Sequence, residues 1–153
     1  MPKAWRLVHK NYLSSAFSGE GARLAGGRWN SEGFSVVYMA ESLSLAILEI
    51  IVHLEFKEAL KLYKAIPIAF SESEMGVIDL EMLPLDWNTA SPHPATQLIG
   101  NHWIRNQSSL VLKVPSAIVP FESNFLLNPV HPDFKKLKSG EPMDLPLDPR
   151  MFN

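Results

Sequence analysis

Three side chains carry polar chemistry in surroundings that do not obviously call for it: Glu49, Arg28 and Tyr38. Glu49 lies within Ser42-Leu43-Ser44-Leu45-Ala46-Ile47-Leu48-Glu49-Ile50-Ile51-Val52-His53-Leu54, amid Ala, Leu and Ile. A carboxylate desolvated there without a partner costs several kcal/mol. It therefore lines a cleft, sits at a partly exposed helix position, or pairs with Arg or Lys. Arg28 follows Gly26-Gly27 and precedes Trp29-Asn30. Gly27 lets the backbone approach a ligand closely, and an Arg fork grips phosphate through two parallel charge-assisted bonds. The alternative is an exposed Arg at a turn. Tyr38 ends a strand; its ring could stack on a flat heterocycle, or serve as an ordinary core aromatic. Ser116, after Pro115, could donate to a ribose or phosphate, or be turn chemistry.

The elements that must carry these groups follow from pattern. Gly26–Asn30 is a turn, Ser31-Glu32-Gly33 a second one, and residues 34–40 read as a strand. Ser42 caps a helix over 42–54 that is apolar nearly all round and so predicts burial on every side, with Lys57 to Tyr63 as its extension. Strands are predicted over 63–70, 76–80, 109–114 and 125–127. A second helix spans about 95–106, with Leu98, Ile99, His102 and Trp103 toward the core. The Pro- and Asp-rich segment beyond Lys138 reads as a surface arm. Few helices among many short strands give an α+β domain.

Composition narrows the chemistry. The chain has 153 residues, 46% of them hydrophobic and 20% charged, which fits one globular domain over 1–153. Its formal net charge of -2 offers no global basic field for nucleic acid, although residues 1–40 carry Lys3, Arg6, Lys10, Arg23 and Arg28 against Glu20 and Glu32. The absence of Cys removes thiolate nucleophiles, disulfides and thiolate metal sites. His9, His53, His93, His102 and His131 have no metal-ligand spacing, so no metal is expected. No signal peptide or membrane-spanning apolar run is visible, and a cytoplasmic location is the expectation.

In chain order the distinctive pieces are Arg6-Leu7-Val8, Gly26-Gly27-Arg28-Trp29-Asn30 and Val37-Tyr38-Met39-Ala40 running into Ala46-Ile47-Leu48-Glu49. They are followed by residues 96–103 (TQLIGNHW), 114–120 (VPSAIVP) and Asn124-Phe125-Leu126-Leu127-Asn128-Pro129. This series, from about Arg6 to Phe134, resembles the RES domain, the toxin half of bacterial Xre–RES toxin–antitoxin pairs. The resemblance implies an ADP-ribosyltransferase-like fold of short mixed strands, and an enzyme that consumes NAD as substrate without a further cofactor. It implies an Arg28–Tyr38–Glu49 catalytic set, with Arg6, Gly27, Arg28, Tyr38, Ser116 and Asn128 toward the dinucleotide. It also implies a hetero-oligomer with an Xre-type antitoxin that makes the DNA contacts. The implied reaction breaks the nicotinamide–ribose bond, with water or phosphate as acceptor. Transfer of ADP-ribose to a protein, or a non-catalytic binding module, are the alternatives.

Overall fold

Alternation of apolar side chains along the strands sorts the core onto the two faces of one sheet. The computed structural model describes residues 2–153. Its strands are β1 (Lys3–His9), β2 (Val37–Ala40), β3 (Tyr63–Ala69), β4 (Met75–Val77), β5 (Val111–Pro115), β6 (Ser123–Leu127), β7 (Lys138–Ser139) and β8 (Met143–Asp144). They form a mixed sheet in the order β4-β5-β6-β2-β1-β3-β7, with β8 also on β3. Only β4 and β5 run parallel.

Val8, Val37, Met39, Ile66, Val111, Phe125 and Leu127 build one face. On the other, Leu112, Val114 and Leu126 pack with Trp29, Trp103 and Ile104, and Leu7, Ala40 and Ala65 pack with Leu45 and Ala46. That second face carries α2 (Leu43–Ile51) and α3 (Pro94–Asn106), while α1 (Glu20–Ala25) precedes the Gly26–Gly27 turn. The α+β expectation therefore holds.

Local signals start the helices where expected. Ser42 is extended, and its hydroxyl accepts from the Leu45 N–H at 3.1 Å. At α3, Pro94 stands in the first turn and His93 Nδ1 accepts from the Ala95 N–H at 3.0 Å.

Tertiary packing overrode several expectations. Helix α2 is not buried all round: Leu45 and Ala46 point inward, but Leu48 and Val52 are 41% and 56% exposed. It lies on one sheet face. Lys57–Leu62 is a 3-10 turn rather than an extension of α2. In α3 the inward residues are Thr96, Gly100, Asn101, Trp103 and Ile104, whereas Leu98 is 68% exposed and His102 is exposed. The inward face is rotated because Gly100 packs backbone to backbone, a contact that hydrophobicity alone does not reveal. The segment beyond Lys138 does run along the surface, where β7 and β8 pair with the β3 edge and an ion pair links Lys64 to Asp144.

Candidate active site

A gap in the sheet defines the site. Strands β1 and β2 share a single backbone pair, Trp5 with Ala40. Beside it the Arg6 guanidinium takes the place of ladder bonds. Its Nη1 donates to the Tyr38 carbonyl at 3.3 Å and its Nε to the Ala16 carbonyl at 3.1 Å. Burial pushes the Arg6 pKa down to about 10, so the group stays charged at neutral pH. Strand register puts Trp5 and Leu7 on the α2 side and Arg6 on the opposite one.

On the α2 side, Tyr38 pairs with Leu126 and Ala40 with Asn124, which aligns Tyr38, Ala40 and Asn124 on one face. Glu49 lies one helical turn beyond the buried Leu45 and comes down onto that face. The result is a cleft of about 80 Å³ whose lining includes Trp5, Arg6, Tyr38, Ala40, Glu49 and Asn124. A larger hollow of about 340 Å³ beside the C-terminal arm is lined by Lys61, Asp144, Leu147 and Phe152 and contains none of these polar groups.

Among the described residues Glu49 has no ion-pair partner. Its Oε1 accepts two hydrogen bonds, from Ser116 Oγ at 2.6 Å and from Asn124 Nδ2 at 2.7 Å. No protein group among the described residues donates to Oε2, which leaves that oxygen to the cleft. The Ser116 side chain is fully buried. Its oxygen also accepts the N–H groups of Ile118 and Val119 at 3.1 and 3.0 Å, so a residue expected to meet ribose or phosphate instead fixes the carboxylate.

The Tyr38 hydroxyl is likewise engaged. It donates to Asn30 Oδ1 at 2.6 Å and accepts the Trp29 N–H at 3.0 Å. Burial pushes its pKa above the usual tyrosine range. Only the ring is offered to the cleft. A Cβ on Gly27 would lie 2.7 Å from this hydroxyl, so the close approach Gly27 permits is to Tyr38.

Helix α3 holds the Arg28 loop. Thr96 Oγ1 donates to the Arg28 carbonyl at 2.5 Å, and Gln97 Nε2 to the Gly27 carbonyl at 3.0 Å. The Asn101 amide accepts the Ser31 N–H at 2.9 Å and donates to its hydroxyl at 2.8 Å. Arg28 Nη1 donates to the carbonyls of Trp87 (3.1 Å) and Ser91 (3.3 Å), while Nε and Nη2 meet no acceptor among the described residues. Burial lowers the Arg28 pKa, and the nearby Glu49 carboxylate is the stronger of the influences opposing that shift. The two groups are thus electrostatic neighbours without being within 4 Å.

This geometry sits inside a match to the RES domain model over residues 3–148. The chain belongs to the RES domain family. It is 41% identical to Toxin Res of Photorhabdus laumondii over 96% of this chain and 95% of that protein. A second Toxin Res, from Yersinia enterocolitica, is 40% identical over 96% and 97% of the two chains. A Sphingobium protein named a Prs ADP-ribosylating toxin is 35% identical over 97% and 95%. In fold, a chain of the M. tuberculosis MbcT–MbcA toxin–antitoxin complex aligns with a TM-score of 0.77 at 21% identity, covering 98% of this chain and 86% of that one.

Within this RES chain the expected set divides by location. Glu49 and Tyr38 line the cleft, and Arg6 enters it from the opposite sheet face; the fully buried Ser116 reaches it only through Glu49, and Arg28 lies outside the lining as an electrostatic neighbour of Glu49 and Tyr38. Asn128 does not join them. It is fully buried, donates to the Ile104 carbonyl at 3.3 Å and accepts the Val130 N–H at 3.1 Å. Four residues on from Asn124 and one past the end of β6, it lies roughly 13 Å away. Two polar residues that sequence reasoning passed over matter more. Asn30 joins the Arg28 loop to Tyr38, and its amide nitrogen reaches the carbonyls of Ala22, Ser31 and Phe34. Asn124 holds Glu49, and its one sequence signal is a polar residue directly before the apolar Phe125-Leu126-Leu127 run. Among the described residues no group of three or more His, Asp or Glu is placed to hold a metal, and no helix is long and apolar enough to cross a membrane.

Proposed function

We propose that this protein is the toxin of a toxin–antitoxin pair and acts by cleaving the nicotinamide–ribose bond of NAD. The observation that carries the reading is the Glu49 carboxylate on the cleft wall, fixed through Oε1, without a protein donor on Oε2 among the described residues, and within electrostatic reach of Arg28. When the bond breaks, its electron pair leaves with the ring nitrogen, giving neutral nicotinamide and positive charge on the sugar. The protein's task is to place negative charge beside that cation and to hold the dinucleotide still. Glu49 Oε2 faces the sugar, the Tyr38 ring walls the nicotinamide side, and the free Nε and Nη2 of Arg28 grip the diphosphate as a fork. Water then bonds to C1′ and releases a proton, yielding ADP-ribose; phosphate in its place yields the ADP-ribose phosphate. The cleft accommodates about one ring, so the rest of the dinucleotide lies outward along the Arg28 loop. An antitoxin partner accords with the toxin–antitoxin complex that shares this fold.

The Sphingobium relative's name favours a second acceptor for the same bond cleavage: a protein nucleophile attacking C1′ in place of water. Labelled NAD separates the two outcomes, since label staying on protein means transfer and free ADP-ribose means hydrolysis. The reading itself is tested by Glu49→Gln, whose amide oxygen can still accept from Ser116 and Asn124. Nicotinamide release should fall about 100-fold or more with melting unchanged. A variant as active as the wild type removes Glu49 from the mechanism.

A further inference from the structure

Among the described residues, the one buried side-chain polar atom without a hydrogen-bond partner is Asn124 Oδ1. Such an atom disfavours the fold, because a buried acceptor loses water and gains nothing in return. The reason it persists is visible at the other end of the same amide: Nδ2 donates to Glu49 Oε1 at 2.7 Å. Turning the amide to relieve Oδ1 would set two acceptor oxygens against each other. The carboxylate therefore dictates the orientation of Asn124. Backbone register holds Asn124 in place between Ala40 on β2 and Val114 on β5, so it is a rigid support.

We infer that Asn124 is a positioning residue for catalysis, pinning Glu49 Oε1 together with Ser116 so that Oε2 alone is presented to the sugar. This rests on the NAD-cleavage reading. The two donors approach one oxygen from two different strands, Ser116 just after β5 and Asn124 at the start of β6. With both in place the carboxyl group cannot rotate; with one removed it can swing, and the charge facing the sugar is no longer fixed. The unpartnered Oδ1 is the counterpart in stability of that fixed geometry.

The opposing effects give a test that a purely structural role cannot mimic. Asn124→Leu keeps the branched outline at a somewhat larger volume and removes both the donor and the orphaned acceptor. Nicotinamide release should show kcat lowered about tenfold or more, from loss of one hydrogen bond to a charged group. KM for NAD should change by less than about twofold, because Asn124 acts through Glu49 and not on the ground-state ligand. Melting temperature should be equal to or above wild type. A lowered melting temperature with kcat unchanged assigns Asn124 to the fold and overturns the inference.

Asn124→Asp gives an independent arm. It places a second carboxyl against Glu49 Oε1, and two such groups share a proton. The other groups near the pair are Arg28 from the 26–31 loop, Tyr38 on β2 and the Ser116 hydroxyl, with Arg6 of β1 bonded to the Ala16 and Tyr38 carbonyls on the opposite sheet face; none supplies a new positive charge. The acid limb of kcat should move up by at least one pH unit, and an unmoved limb counts against the inference. The failures are distinguishable: active wild type and inactive Glu49→Gln with fully active Asn124 variants overturn only the role of Asn124. A wild type that releases no nicotinamide overturns both.

Discussion

Adding one methyl group at Gly100 should disrupt the site without touching any residue in the cleft. A Cβ built there lies 1.6 Å from the Trp29 carbonyl oxygen and 2.7 Å from its carbon. Real contacts stop near 3.0 Å, so α3 and the loop must separate by roughly 1.4 Å merely to reach the closest tolerable contact, and further for ordinary packing. Both sides of the contact are backbone, and no side-chain rotation relieves it. Overpacking of this kind costs about 3 kcal/mol; the helix preference of Ala over Gly returns about 1 kcal/mol. The net loss is about 2 kcal/mol, equivalent to roughly 4–8 °C in melting temperature for a chain of this size. The same separation stretches the bonds from Thr96, Gln97 and Asn101 to the loop that presents Arg28. NAD affinity should therefore fall with stability. Thermal unfolding by circular dichroism and calorimetric titration with NAD measure the two effects. Gly21→Ala is the control, because nothing lies within 4 Å of a Cβ there; it should stabilise by about 0.5–1 kcal/mol. If Gly100→Ala melts at or above the wild type, the clamp between α3 and the Arg28 loop has been misjudged.

Arg28→Lys keeps the charge but loses the fork and the Nη1 bonds to Trp87 and Ser91; calorimetry should show NAD binding weakened about tenfold. Tyr38→Phe strands Asn30 Oδ1 and the Trp29 N–H and should cost about 2 kcal/mol in denaturant unfolding. Because burial raises the Tyr38 pKa, the folded state favours the neutral phenol. That contribution is fully present below the unfolded-state pKa of about 10 and is lost as pH rises above it. Stability measured near pH 8 and near pH 11 should therefore decline less in Tyr38→Phe than in the wild type; parallel declines would contradict the burial of the hydroxyl. Asn128→Ala should lower stability by about 1–3 kcal/mol through the unsatisfied Ile104 and Val130 groups and leave KM for NAD unchanged. A raised KM would return Asn128 to the site.

Much of the site was legible as residue types in order. A carboxylate in a greasy helix, a glycine-flanked Arg and a strand-end Tyr each conflict with their local pattern, and such conflicts gather at functional sites. The elements bearing them were legible for the same local reasons: a Ser cap at α2, a proline start at α3, and alternation in the longer strands. What each polar group touches was not legible. Ser116 and Asn124 meet Glu49 across separations of 67 and 75 residues, and a sequence pattern contains no distance of that kind.

The choice between the two asparagines makes the same point. Asn124 and Asn128 share one motif, the first inside β6 and the second just past its end, and either could be assigned to the dinucleotide on residue type alone. Register places one beside Ala40 and the cleft, and four residues of chain carry the other away to brace α3. Likewise, composition could not tell that α2 buries one side only, or that Gly100 faces the Trp29 carbonyl. The sequence alone determined the α+β class and the identity of the charged groups, because those follow from residue chemistry and short-range periodicity; the family rested on the resemblance carried by its ordered motifs. Tertiary structure decided which groups are tied to the protein and which stay open to a ligand, because hydrogen-bond partnership is fixed only when distant strands come into register.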